Sequence, residues 1–399
     1  MLIAGCAADP LELEHDAGST GGATGDASET GATGSDEGEV GEVGETPNTG
    51  GEATPNAEAC LLGLAYTDAL HGVSSGAIDC DDCDDLILES VLWDVEPMTG
   101  ARDEFATSEH DEVFRTITAM PDGGFVVSGE LAAHPVESSR MWRYSAAGAL
   151  EWSVEVPGGT PYDVAVRGDE ILAVNSNRDL LALSGADGAV LWDNTVGQGV
   201  PRHIEVDATG AIYTAGRITE SGGRPIAPAV FVRKYEADGQ VAWEAVESPP
   251  TDDGSLAPSG LVLDEAGGVI FGFSPVDLQA DDLMESFRKY DAGGNEQWTV
   301  DYDADGDPAV PTLSTVTQMH PRPGGGFIAA GTSWTTRGAT FVAAFTADGA
   351  ESWTSLDAYG QYDNIQIPAL TVAGTTVYAS GCGQRPDGGD DSWLLVFDL

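Results

Sequence analysis

The sequence predicts an all-β protein: a six-bladed β-propeller, closed by an N-terminal strand in its last blade and preceded by a disordered tether. Three observations carry this. A Trp-bearing hairpin is written five times, a pair of shorter strands precedes each copy, and a long acidic stretch at the N-terminus almost lacks large apolar residues.

The hairpin is clearest in Phe231-Val-Arg-Lys-Tyr-Glu-Ala-Asp-Gly-Gln-Val-Ala-Trp243. An alternating strand ends at Tyr235, an Asp238-Gly239 turn follows, and a second strand carries Trp243. Trp142 to Tyr144 leads in the same way through Gly148 to Trp152, and Phe287 to Tyr290 through Gly294 to Trp298. Phe341 to Phe345 leads through Gly349 to Trp353, and Leu180 to Leu183 through Gly188 to Trp192 with one extra residue. A hairpin repeated at this period marks a propeller or an array.

From Val113 onward each unit reads as a first strand, a Gly-rich turn, a second strand and the Trp hairpin, with starts near Phe114, Tyr162, His203, Leu261, Val316 and Ala369. The last unit stops at a third strand, Trp393 to Leu399. Leu86 to Val95, which carries Trp93 without a hairpin partner, is therefore expected to supply the missing fourth strand and close the ring. The tryptophans at 93, 152, 192, 243, 298 and 353 are expected to wedge between blades. Trp334, in a polar connection, is the candidate exposed aromatic contact.

Ahead of the repeats the chain divides into residues 1–6, a linker over 7–59, a cysteine-containing lead-in over 60–85 and the propeller over 86–399. The linker cannot bury enough apolar surface to offset its ordering entropy, and its charges repel one another. The formal charge of −51 and pI near 4.1 argue against binding nucleic acid or an anionic membrane surface, which need basic patches. The first cation is Arg102.

Cys60, Cys80, Cys83 and Cys382 form an even set that suits disulfides in an exported protein, with three pairings open. The favoured pairing joins Cys60 to Cys80 and Cys83 to Cys382, since the latter would staple the ring closure. Cys80 and Cys83 have the spacing of half a zinc site, without a second half to complete it. In Asp301-Tyr-Asp303-Ala-Asp305-Gly-Asp307, alternating carboxylates followed by glycine suit a calcium ion, yet the later bidentate acid is absent, so an unliganded acidic turn stands as the alternative. His203 and His320 are placed toward opposite mouths of the ring. Asp163 and Glu205 lie on inner strands, and no nucleophile elbow or phosphate loop is present.

Two resemblances follow from these residues. Ile3-Ala-Gly-Cys6 resembles a bacterial lipobox, which implies a lipid on Cys6, a true start upstream and, with Ala7, delivery to the outer membrane. Asp207 to Gly216 with Phe231 to Trp243 resembles an SBBP repeat, and Leu180 to Trp192 a PQQ-like repeat. The quinone-dependent dehydrogenases that share the Trp repeat usually have eight blades and often an adjacent cysteine pair, so no PQQ is expected. The implied function is a monomeric, non-enzymatic binding or scaffold lipoprotein with a protein or polysaccharide partner. An extracellular lyase, lactonase or glycosidase with an acidic site at the channel mouth is the alternative.

Overall fold

The computed structural model describes residues 61–399 apart from 68, 79–86, 97–101, 108–111, 132–137, 160, 176, 178, 196–197, 222–223, 238, 250–253, 276–283, 305–313, 334–338, 359–362 and 385–389. Every regular element among the described residues is a strand. Blade one contains β1 (Leu61–Tyr66), β2 (Leu70–Ile78), β3 (Ile87–Val95) and β4 (Arg102–Thr107). Blade two contains β5 (Glu112–Ala119), β6 (Phe125–Leu131), β7 (Ser138–Tyr144) and β8 (Leu150–Glu155); blade three β9 (Pro161–Arg167), β10 (Glu170–Asn175), β11 (Asp179–Ser184) and β12 (Val190–Thr195). Blade four contains β13 (Val200–Val206), β14 (Ile212–Ser221), β15 (Arg224–Tyr235) and β16 (Val241–Glu247); blade five β17 (Leu256–Leu263), β18 (Val269–Pro275), β19 (Glu285–Tyr290) and β20 (Glu296–Tyr302). Blade six contains β21 (Ser314–Pro321), β22 (Phe327–Ser333), β23 (Ala339–Phe345) and β24 (Glu351–Ala358), and blade seven β25 (Asp363–Ala373), β26 (Thr376–Gln384) and β27 (Asp390–Asp398).

All neighbouring strands pair antiparallel, and each first strand contacts the first strands of both flanking blades, including β1 against β25. The all-β propeller and the six units read from the repeat, β5 to β27, are thus found. The closure differs from the expectation. Trp93 does not enter the last blade: it pairs with Gly72 and Glu104 inside a sheet of its own, which stands in the ring between blades seven and two. Two strands of that sheet, β1 and β2, come from the stretch read as a lead-in. The reason is local. Trp93 lies two residues before the end of a third strand, where Trp142 also lies, and alternation alone does not separate third from fourth strands.

The apolar core lies between the blades. Val262 and Ile270 of blade five pack with Val316, Phe327, Phe341 and Phe345 of blade six, with Trp298 against them. The Trp hairpin explains this seam at the level of single atoms. Trp152 Nε1 donates to Gly185 O at 3.0 Å, Trp243 Nε1 to Ala292 O at 3.1 Å and Trp298 Nε1 to Ala347 O at 3.1 Å, in each case on the hairpin turn of the next blade. The turn glycine lies beneath that indole. A Cβ on Gly294 would sit 2.8 Å from the Trp243 ring, and Gly294 has φ of +83°, so its lack of a side chain serves both the turn and the seam. The seven/one seam is built otherwise: Tyr66 stacks on Tyr378 at 6.4 Å between centroids, over a cluster that includes Leu61, Leu64 and Ala369.

Candidate functional site

The first strands carry the polar side chains nearest the axis. In every blade their register shifts near the strand start, skipping Leu62, Arg115, Tyr162, Arg202, Ser259, Thr317 and, in blade seven, a stretch around Ile367 and Pro368. The extra residue turns the strand locally, and the side chains around it reach the next blade. Asp163 Oδ2 accepts from Ile204 N at 3.0 Å, while its Oδ1 accepts from Val164 N at 2.8 Å. His203 donates to the Pro258 carbonyl. Thr317 Oγ1 donates to Ile367 O at 2.5 Å, and Gln318 Nε2 to Pro368 O at 2.9 Å.

Blade five has Gly260 where blades three, four and six have Asp163, His203 and Gln318. Its place is taken from the third strand. Glu285, fully buried, accepts from Ser259 Oγ and, at 3.2 Å, from Val316 N of blade six. Met319 fills the remaining space so closely that a Cβ on Gly260 would lie 2.6 Å from it. The same kind of link thus crosses four successive seams with four different side chains.

Electrostatics follow from this placement. Burial raises the Asp163 carboxyl to about 7 against its backbone hydrogen bonds, and raises Glu205 to about 8 with the Asp163 charge adding to the effect. Both keep some accessible surface, but the surrounding protein atoms govern their desolvation. Glu285 is raised to about 8, chiefly by burial. Burial first, then the Arg202 charge, lowers His203 to about 4. His320 is lowered by burial, and its Nδ1 lies 2.9 Å from Pro321 O. Near pH 6 the first strands and Glu285 therefore hold neutral carboxyls at Asp163, Glu205 and Glu285 and a neutral imidazole at His203.

Of the residues singled out in the sequence, Asp163 and Glu205 come together electrostatically, whereas His320 sits at the end of its strand. Asp301 is exposed, with Oδ1 accepting from Ser286 Oγ at 2.8 Å, and Asp303 is half-buried. Asp305, Asp307, Trp334, Cys6, Cys60, Cys80 and Cys83 lie outside the described residues. Cys382 is fully buried and disulfide-bonded. Among the described residues no group of three or more His, Cys, Asp or Glu is placed to hold a metal ion. Glu285 escaped the sequence reading because it sits on a third strand; the glycine at 260 was the available signal. A hollow of about 590 Å³ lies beside Arg167, whose guanidinium is already bound to Glu170 and to the Gly210 and Ala237 carbonyls.

The model of the PQQ-like repeat family described as outer membrane protein assembly factor BamB matches residues 89–257 and 145–288. Together the two matches span just over half of the 399 residues. The chain belongs to that family. The matched residues of this PQQ-like propeller begin inside β3 and end inside β19, so they include the three complete blades two to four. No curated protein matches the chain.

Proposed function

We propose that the protein is a non-enzymatic binding and scaffold module of the bacterial cell envelope, anchored at the outer membrane by a lipid on Cys6 and offering its propeller to a protein or polysaccharide partner. The observation that carries this reading is the engagement of the ring's ionisable side chains: Asp163, His203 and Glu285 are each hydrogen-bonded to the backbone of the next blade. Groups held that way build the ring. The family's description as an outer membrane assembly factor supports the envelope setting. Expression from the full upstream gene with labelled palmitate is expected to give a labelled product that Cys6→Ala abolishes; an unlabelled wild-type product would remove the anchor.

A second reading, an enzyme acting on polysaccharides or lactones, draws on one observation, the raised carboxyls of Asp163 and Glu205. Turnover of either substrate class by the wild type, abolished in both Asp163→Asn and Glu205→Gln while folding persists, would replace the scaffold reading. Calcium at Asp301, Asp303, Asp305 and Asp307 belongs to the same proposal, as a brace for the connection between blades five and six. Calorimetric titration with calcium is expected to saturate in the wild type and weaken in Asp303→Asn.

A further inference from the structure

Blade seven differs from the other blades in having three strands among the described residues. Its last strand, β27, pairs with β26 from Asp398 to Asp390 and has no paired strand on its other side among those residues. In an antiparallel ladder alternate residues bond to one neighbour, so about half of the β27 amides and carbonyls face that open edge.

The side chains register the difference. Met141, Val232, Phe287 and Val342 each lie three residues before the aromatic that opens the pairing of third with second strand, in blades two, four, five and six. All four are fully buried, and each packs with the fourth-strand tryptophan of its own blade, Trp152, Trp243, Trp298 or Trp353. Leu394 holds that position in blade seven, three residues before Phe397, and is only half-buried. The adjoining seam differs as well. Trp152, Trp243 and Trp298 donate to the turn between third and fourth strands of the next blade, whereas the buried Nε1 of Trp353, which faces blade seven, has no partner among the described residues.

The other fourth strands define what fits this edge. Two inward residues lie two apart, Trp152 and Val154, Trp243 and Ala245, Trp298 and Val300, with exposed Ser153, Glu244 or Thr299 between them. Just before each tryptophan a bulge skips Glu151, Ala242 or Gln297. Residues 7–59 contain four large apolar side chains, Leu11, Leu13, Val40 and Val43. Leu11 and Leu13 have the inward spacing, with Glu12 between them, while Val40 and Val43, three apart, fall on opposite faces of a strand. Pro10 takes the place of the bulge residue, where a missing ladder donor is tolerated.

We propose that residues 11–14 add to the edge of β27 as the fourth strand of blade seven, antiparallel to it, with Leu11 opposite Val396 and Leu13 opposite Leu394. At about 3.3 Å per residue the stretch over 15–60 reaches up to about 150 Å, against about 15 Å across a four-stranded blade. It leads into β1, which already packs on β25 of blade seven. Pairing is then intramolecular, so a short strand suffices. The inference holds with or without a lipid on Cys6.

Hydrogen exchange read by mass spectrometry on the full chain tests this. In the wild type, residues 11–14 are expected to exchange at least about tenfold slower than a free chain, and residues 40–43 as a free chain. Leu11→Ser combined with Leu13→Ser should return residues 11–14 to the free rate and speed exchange in β27 by a similar factor, with β6 unchanged as the measure of an intact ring. Val40→Ser combined with Val43→Ser should alter neither segment. Free exchange of residues 11–14 in the wild type, or protection of β27 that the Leu11 and Leu13 variant leaves intact, overturns the proposal. So does β27 protection that rises with protein concentration alongside a dimer in sedimentation, which would assign the edge to a second copy of the chain.

Discussion

At the scale of single residues, the turn glycines show how one position can answer two demands. Gly294 and Gly267 both have positive φ, +83° and +79°, but their surroundings differ. A Cβ on Gly294 meets the Trp243 ring at 2.8 Å, whereas one on Gly267 meets only the Ala292 methyl at 4.0 Å. Gly267→Ala is thus expected to cost about 1 kcal/mol, the backbone component alone. Gly294→Ala should cost a further 1–3 kcal/mol or so through overpacking. Urea denaturation of the two variants measures the difference, and equal losses would show that the indole yields freely. In blades two, four and five the tryptophan adds one hydrogen bond to the next turn; the buried Nε1 of Trp353 has no partner among the described residues, and its ring packs on Phe397 at 5.5 Å.

At the scale of elements, two first strands and the third strand of blade five set the pH response. Asp163, Glu205 and Glu285 have folded pKa values of about 7, 8 and 8, above their ordinary 3.8, 4.5 and 4.5. Between those limits the folded state holds more protons than the unfolded state, so stability falls as pH rises. The two histidines oppose this only below their ordinary 6.5, because their lowered values disfavour folding as they gain protons. The window from pH 6.5 to about 8 therefore belongs to the carboxyls. The melting temperature is expected to drop across it, by an amount on the order of 1 kcal/mol or a few degrees, and Glu205→Gln should flatten the drop. A rise across that window would contradict the assignment. The strands themselves were legible because alternation and turn glycines are local signals. The links between them were only partly legible: Asp163 and Glu205 could be placed on inner strands, but the Glu285 link depends on how a third strand reaches past Gly260. Blade one was hidden for a related reason. β2, Leu70 to Ile78, contains two glycines and two serines and reads poorly as a strand, and no Trp hairpin follows it.

At the scale of the whole molecule, the ring closes by packing blade one against blade seven, and Cys382, on β26 of blade seven, is disulfide-bonded. Joining Cys382 to Cys83, the proposed pairing, would close a loop that contains nearly the whole propeller. Reduction, or Cys382→Ser, is expected to cost about 2–4 kcal/mol, read as a lower melting temperature under non-reducing conditions for the variant. Peptide mapping that joins Cys382 to any cysteine other than Cys83 would reject the pairing. The Trp-to-turn contact described for blades two, four and five bears on how such rings grow. Blades two to six each carry a hairpin turn on one flank and a fourth-strand tryptophan on the other, so a duplicated or deleted blade among them meets its new neighbours through contacts already present. Gene copying can then change the number of blades without inventing an interface, and the join where the ring closes is left to be solved by its own chemistry, here the Tyr66–Tyr378 stack.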